Sequence, residues 1–273
     1  MGKKRFGYTR IPRLLLPAAL TLCMLLPTAS CGGTVPETPA ASGSGDPDET
    51  SESGPLLSEE TESNETSDEP APADEVIVSP LAVSDFMEPV SQNSWARPDG
   101  WNDPESENAL SFVMIHFSSD LSGLPDNPYD PERIRQIYFD SGASTHYLID
   151  REGKILCFVP ENRAAWHAGK GNWKGEEKLK DRMNLYSVGI EIMAMGSKRD
   201  MALYMTGEEY DAVPAEWIGY TDAQYDALRA LLRDICGRYG IPVDRDHVIG
   251  HEEYAPDRKR DPGELFDWER ALS

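Results

Sequence analysis

Long apolar runs are nearly absent from this 273-residue chain. The most apolar stretch, Leu14–Leu26, is interrupted by Pro17 and stops at Pro27. That is short of the ~20 apolar residues a membrane-spanning helix needs. Basic charge is scarce: 26 Lys and Arg stand against 48 Asp and Glu, for a net charge of −22. Nucleic-acid binding depends on neutralising phosphates, so nucleic acid is excluded as a main partner. Only four cysteines occur, and Cys23 and Cys31 fall near the N-terminus. Spacing leaves open whether the other two, Cys157 and Cys236, form a disulfide or stay as buried thiols. There is no internal repeat, and no His-Glu-x-x-His stretch to support the usual zinc-peptidase helix.

What is present begins with a leader. Residues 1–13 carry Lys3, Lys4, Arg5, Arg10 and Arg13 without an acid, and the Leu14–Leu26 run follows. Small residues then precede Cys31. A basic region, a short apolar region and a small-residue cleavage site make a secretory signal over residues 1–30. Ala29-Ser30-Cys31-Gly32 also resembles the lipobox of bacterial lipoproteins. The resemblance implies that Cys31 is acylated, becomes the mature N-terminus and anchors the chain to a membrane outside the cytoplasm. It does not say whether that membrane is inner or outer.

Residues 31–80 follow as an acidic tether. Between Gly32 and Pro80 there are 13 acids, no Lys or Arg and few large apolar side chains. Such a segment cannot bury enough apolar area to offset the entropy of ordering it, and like charges keep it extended. Residues 81–108 read as an irregular lead-in that packs on the folded part, which spans residues 109–273.

Within that part, Phe112–Phe117 is a short apolar run suited to a buried strand, and Ser187–Met193 is another. Asp130-Pro131 marks a helix start, and Gly142 its stop. Thr145–Asp150 and Lys154–Val159 flank a Gly-containing turn and predict a hairpin. Thr221 and Gln224 form a capping box for a helix over Asp222–Tyr239, which ends at Gly240. Strands interspersed with helices predict an α/β fold, a mixed central β-sheet flanked by helices. The segment from Met195 to about Gly219 has no strong motif and reads as a rim of the site.

Five segments carry the chemistry: Phe112–His116, Ser144–Asp150, Ala165-Trp166-His167-Ala168-Gly169, Asn184 with Ser187–Glu191, and His251–Gly263. In this order they resemble the type-2 N-acetylmuramoyl-L-alanine amidases, relatives of the peptidoglycan recognition proteins. The resemblance covers about residues 111–268. It implies His116, His251 and Asp261 as ligands of one zinc ion, and Glu191 and Lys259 as catalytic residues. Three protein ligands leave a position for water, whose pKa zinc lowers to about 7. The implied substrate is peptidoglycan or its muropeptides, cut between N-acetylmuramic acid and L-alanine.

Trp166 and His167 are expected to line the groove, since an aromatic face packs well on sugar or peptide. A tryptophan here is as readily a core residue. His146 neighbours the site without an assigned role, and His247 reads as structural. Three other functions stay open: a module that grips muropeptides without cutting, a zinc peptidase acting on the stem peptide, and a glycosidase with two carboxylates across a sugar site. Oligomeric state is left undetermined.

Overall fold

A computed structural model of the chain describes residues 76–124 and 126–273. The expected signal sequence, Cys31 and most of the acidic tether lie outside the described residues. The strands are β1 (Val83–Ser84), β2 (Ser94–Ala96), β3 (Phe112–Ser118), β4 (Tyr147–Ile149), β5 (Ile155–Cys157), β6 (Arg163–Ala165), β7 (Ser187–Met193) and β8 (Val248–Gly250). The helices are α1 (Pro131–Ser141), α2 (Lys198–Met201), α3 (Gly207–Asp211), α4 (Asp222–Tyr239), α5 (His251–Tyr254) and α6 (Trp268–Ala271). Six strands form one sheet in the order β1-β5-β4-β7-β3-β8. The β4–β5 pair is antiparallel and the other neighbours are parallel, so the sheet is mixed, as expected. β2 and β6 form a separate antiparallel pair.

All seven residues of β3 and all seven of β7 are buried, because both faces of the sheet are covered. Strand alternation sends Val113, Ile115, Val188, Ile190 and Ile192 to one face. There they meet Tyr225, Leu228, Leu231, Leu232 and Ile235 of α4. Each such side chain contributes about 1.5–3 kcal/mol when fully buried. α4 has the limits read from the sequence: both capping-box bonds at Thr221 and Gln224 are made, and Gly240 closes it at φ 68°. Cys157 and Cys236 lie in this core as free thiols.

The opposite face is divided. At one side Ile134, Ile137 and Tyr138 of α1 cover Leu148, Phe158 and Met193. At the other, Phe112, Met114 and Ile249 pack with Trp173, Met183 and Tyr254. Strand alternation puts His116 and Glu191 on this same face. The site therefore occupies a polar stripe across an otherwise apolar layer.

Two segments differ from expectation. The lead-in is not irregular throughout: β1 adds an edge strand beside β5, and β2 pairs with β6. It is also pinned by side chains. Arg97 donates to the carbonyls of Glu161 (2.6 Å), Leu185 (2.9 Å) and Ser187 (3.0 Å). Glu161 is itself fully buried and accepts from Tyr147, Tyr239 and both terminal nitrogens of Arg238. The 195–219 segment is ordered as two short helices, each started by a capping box: Ser197 with Asp200, and Thr206 with Glu209. Met201 packs on Phe117, Ala194 and Met195, so the segment covers the end of β3 and β7.

Candidate metal centre and active site

His116 is the fifth residue of β3, and β8 lies beside that strand with Ile115 opposite Gly250. The chain turns into α5 straight after Gly250, which brings His251 to the same place. Asp261 arrives by a loop that folds back: the Glu252 amide donates to the Asp261 carbonyl at 2.9 Å. The Gly263 amide donates to the Glu252 carboxylate at 2.9 Å, and the Tyr220 hydroxyl to the Pro262 carbonyl at 2.7 Å.

The result is a tight trio. Asp261 Oδ2 lies 2.8 Å from His116 Nδ1 and 3.0 Å from His251 Nδ1. One donor atom from each residue falls within 4.8 Å of the others. All three side chains are at most 2% exposed. Burial pushes His251 down to about 4, so its ring is neutral near pH 7. Burial alone would raise Asp261, but its neighbours His251, His116 and Lys259 hold it well below the ordinary carboxylate range. Asp261 Oδ1 has no hydrogen-bond partner. Two imidazoles and an anionic carboxylate, buried with one carboxylate oxygen unsatisfied, suit a zinc ion by donor type and charge.

Glu191 is the register partner of His116 on β7, with Oε1 3.9 Å from His116 Nδ1. Burial raises its carboxyl to about 7 against the opposing pull of His116, and Tyr138 hydrogen-bonds to it. Its Oε2 has no partner. A carboxyl near 7 is suited to taking and returning a proton. Lys259 is buried, and its charge acts on Glu191, His251 and Asp261. It lines a cavity of about 560 Å³ with Asp200, Glu252, Arg260, Gly263 and Glu264. His116, Glu191, His251 and Asp261 do not line that cavity, which meets the site only at Lys259.

The two residues expected to line a groove part ways. Trp166 is 46% exposed and packs edge-on against Trp95 with ring centroids 4.6 Å apart, so it is not a core residue. His167 does not reach an open groove. Its ring is 1% exposed, and both nitrogens face protein groups, His116 at 3.0 Å and Ser187 at 3.2 Å. The reason is geometric: its ring lies over Gly189, where an added Cβ would come within 2.6 Å of it. His146 is buried beside it, ring centroids 5.7 Å apart, with Nδ1 accepting from the Gly189 amide. His247 is partly exposed and bonded to Asp244, away from the trio.

Sequence reasoning passed over Arg97, placed Tyr138 only on the apolar face of a helix, and named Ser187 within a matching segment without giving it a role. It had a signal for Gly189, because glycine within an apolar strand often marks a close approach.

The profile of the N-acetylmuramoyl-L-alanine amidases matches residues 106–264. The 1,6-anhydro-N-acetylmuramyl-L-alanine amidase AmpD of Salmonella typhimurium (strain SL1344) is 38% identical over 128 residues, 47% of this chain and 54% of that protein. The N-acetylmuramoyl-L-alanine amidase AmiD of Escherichia coli (strain K12) is 35% identical over 168 residues, 59% of this chain and 51% of that protein. The chain thus spans about half the length of the curated relatives it matches. A crystal structure of a selenomethionine AmpD derivative is similar over 72% of this chain and 97% of that one, at 26% identity and a TM-score of 0.50. With the profile covering more than half of its residues, the chain belongs to the N-acetylmuramoyl-L-alanine amidase family of the type-2 class.

Proposed function

We propose that this chain hydrolyses the amide bond between N-acetylmuramic acid and L-alanine in peptidoglycan or its muropeptides, using one zinc ion. The carrying observation is the convergence of His116, His251 and Asp261 with the Glu191 carboxylate 3.9 Å away. The names of the relatives AmpD and AmiD supply the substrate class.

His116, His251 and Asp261 would hold the metal, which supplies a Lewis acid and lowers the pKa of water. Glu191 takes a proton from the attacking water and returns it to the departing L-alanine nitrogen, as general base and then general acid. Its raised pKa favours both halves of that exchange. The Lys259 ammonium, buried among these groups, offsets the negative charge that develops on the carbonyl oxygen. Trp166, open and backed by Trp95, offers an aromatic face for sugar or peptide. The lipobox-like Cys31 and the acidic tether would hold the enzyme beside its polymeric substrate, at a membrane outside the cytoplasm.

The test is digestion of purified peptidoglycan and of soluble muropeptides by the full chain, with products read by mass spectrometry. Stem peptides carrying a free L-alanine amine, lost with chelator and restored by zinc, are the expected result. Binding without cleavage, or cuts within the stem peptide, would overturn the reading.

A further inference from the structure

His167 is buried at the metal centre without being one of its three donors. The fold gives up a side chain to seat it, since its ring occupies the space a Cβ on Gly189 would fill. Both ring nitrogens belong to a row of hydrogen bonds: His116 Nε2 to His167 Nδ1 at 3.0 Å, and His167 Nε2 to Ser187 Oγ at 3.2 Å. The row ends where Ser187 Oγ donates to the Met183 carbonyl at 2.7 Å.

That carbonyl sets the direction of the row, because a carbonyl only accepts. The Ser187 hydrogen points to Met183, so its oxygen accepts from His167. The hydrogen between them sits on His167 Nε2, and a neutral His167 then has a bare Nδ1. That nitrogen accepts from His116, whose own hydrogen is held on Nε2. What remains is a His116 lone pair at Nδ1, 2.8 Å from the Asp261 carboxylate.

His251 is treated alike by the next residue. Its Nε2 lies 2.8 Å from the Ala168 carbonyl, so its hydrogen is held there and its Nδ1 also faces Asp261. The 167–168 dipeptide is clamped in turn by Asn184, whose side-chain oxygen accepts both backbone amides at 3.1 and 2.8 Å.

We propose that His167 is a positioning residue for the metal centre. Backed by Ser187, it holds His116 in the tautomer that presents Nδ1 to the metal, as the Ala168 carbonyl does for His251. The proposal rests on the metal-centre reading above. Partners that fix ligand tautomers are generally worth about 10- to 100-fold in metal affinity.

Zinc affinity of the full chain, measured by competition with a chromophoric chelator, tests this in wild type, His167→Ala, His167→Asn and Ser187→Ala. Asparagine places an oxygen acceptor where Nδ1 stood. His167→Ala should weaken zinc binding about 10- to 100-fold, His167→Asn should recover most of that, and Ser187→Ala should lose less. Nitrogen-15 NMR of the metal-free wild type should find His116 protonated at Nε2. A folded His167→Ala chain within twofold of wild type would overturn the proposal, as would an asparagine variant no better than alanine. If the alanine variant does not fold, the asparagine and Ser187 variants and the NMR measurement decide, a bare Nε2 on His116 being the overturning result. Failure of the wild type to bind zinc would instead sink the metal-centre reading, while the tautomer still decides the role of His167.

Discussion

Glu191 and His116 are register partners on neighbouring parallel strands, with a carboxylate oxygen 3.9 Å from ring nitrogen Nδ1. This pairing puts the candidate proton carrier beside the candidate ligands without making it one of them. Glu191→Gln keeps the shape and removes the base. It should lower kcat by about 10²- to 10⁴-fold, the usual worth of general acid–base catalysis. Zinc content, measured by elemental analysis, should stay at the wild-type level. Loss of zinc in this variant would make Glu191 a ligand.

Asp261 connects both imidazoles, so its removal should abolish binding rather than weaken chemistry. A ligand that binds only the native state stabilises it by about 4 kcal/mol at a thousandfold excess over Kd. Zinc should therefore raise the melting temperature of the wild type, and Asp261→Ala should abolish the rise. Calorimetry with and without chelator checks this. An undiminished zinc effect in the variant would remove Asp261 from the ligand set.

The buried histidines set an acid limit. Burial lowers His251 to about 4, and His146 and His167 well below their ordinary range. Unfolded, each regains a value of about 6.5. Below that pH the unfolded chain binds protons the native chain refuses, so these residues make stability fall as pH drops from about 6.5 toward 4. Glu191 runs the other way: raised to about 7 by burial, it contributes stability that is full below about 4.5 and lost as pH rises through 7. Glu252, also raised to about 7 by burial, sides with Glu191, so three groups oppose two. The melting temperature of the metal-free chain should rise between pH 4.5 and 6.5, and a flat or falling profile would contradict this balance.

Arg238 holds the fully buried Glu161 carboxylate with contacts of 2.5 and 2.7 Å. Removing one partner of a buried pair strands the other charge, at a cost of about 3–5 kcal/mol. Arg238→Ala should lose stability on that scale in urea denaturation, with zinc affinity retained by the folded fraction. Unchanged stability would show that the two tyrosine hydroxyls suffice to hold the carboxylate.

Elements with local signals were legible in the sequence. α4 lies between its capping box and Gly240, and the hairpin of β4 and β5 forms around the expected turn. The ligand set was legible only through the whole pattern of motifs, since His116 and Asp261 are 145 positions apart. The lead-in strands escaped because they are two and three residues long and pair with distant segments. The helices of the 195–219 segment had a visible signal, Ser197-x-x-Asp200 and Thr206-x-x-Glu209, that polar surroundings obscured. His167 was read by residue type, as an aromatic wall, whereas its place beneath the site follows from space left by a glycine on another strand.

Arg97 lies outside the segment that matches the family, yet its guanidinium serves carbonyls on three residues within it. Shared ancestry and cooperative folding thus have different borders in this molecule. A fragment trimmed to residues 106–264 would leave those buried acceptors without their donor, and would also lose the Ser79 amide that bonds the Tyr147 hydroxyl. A folded unit that keeps these bonds starts before Ser79, and the end of the tether nearest the sheet is therefore part of it.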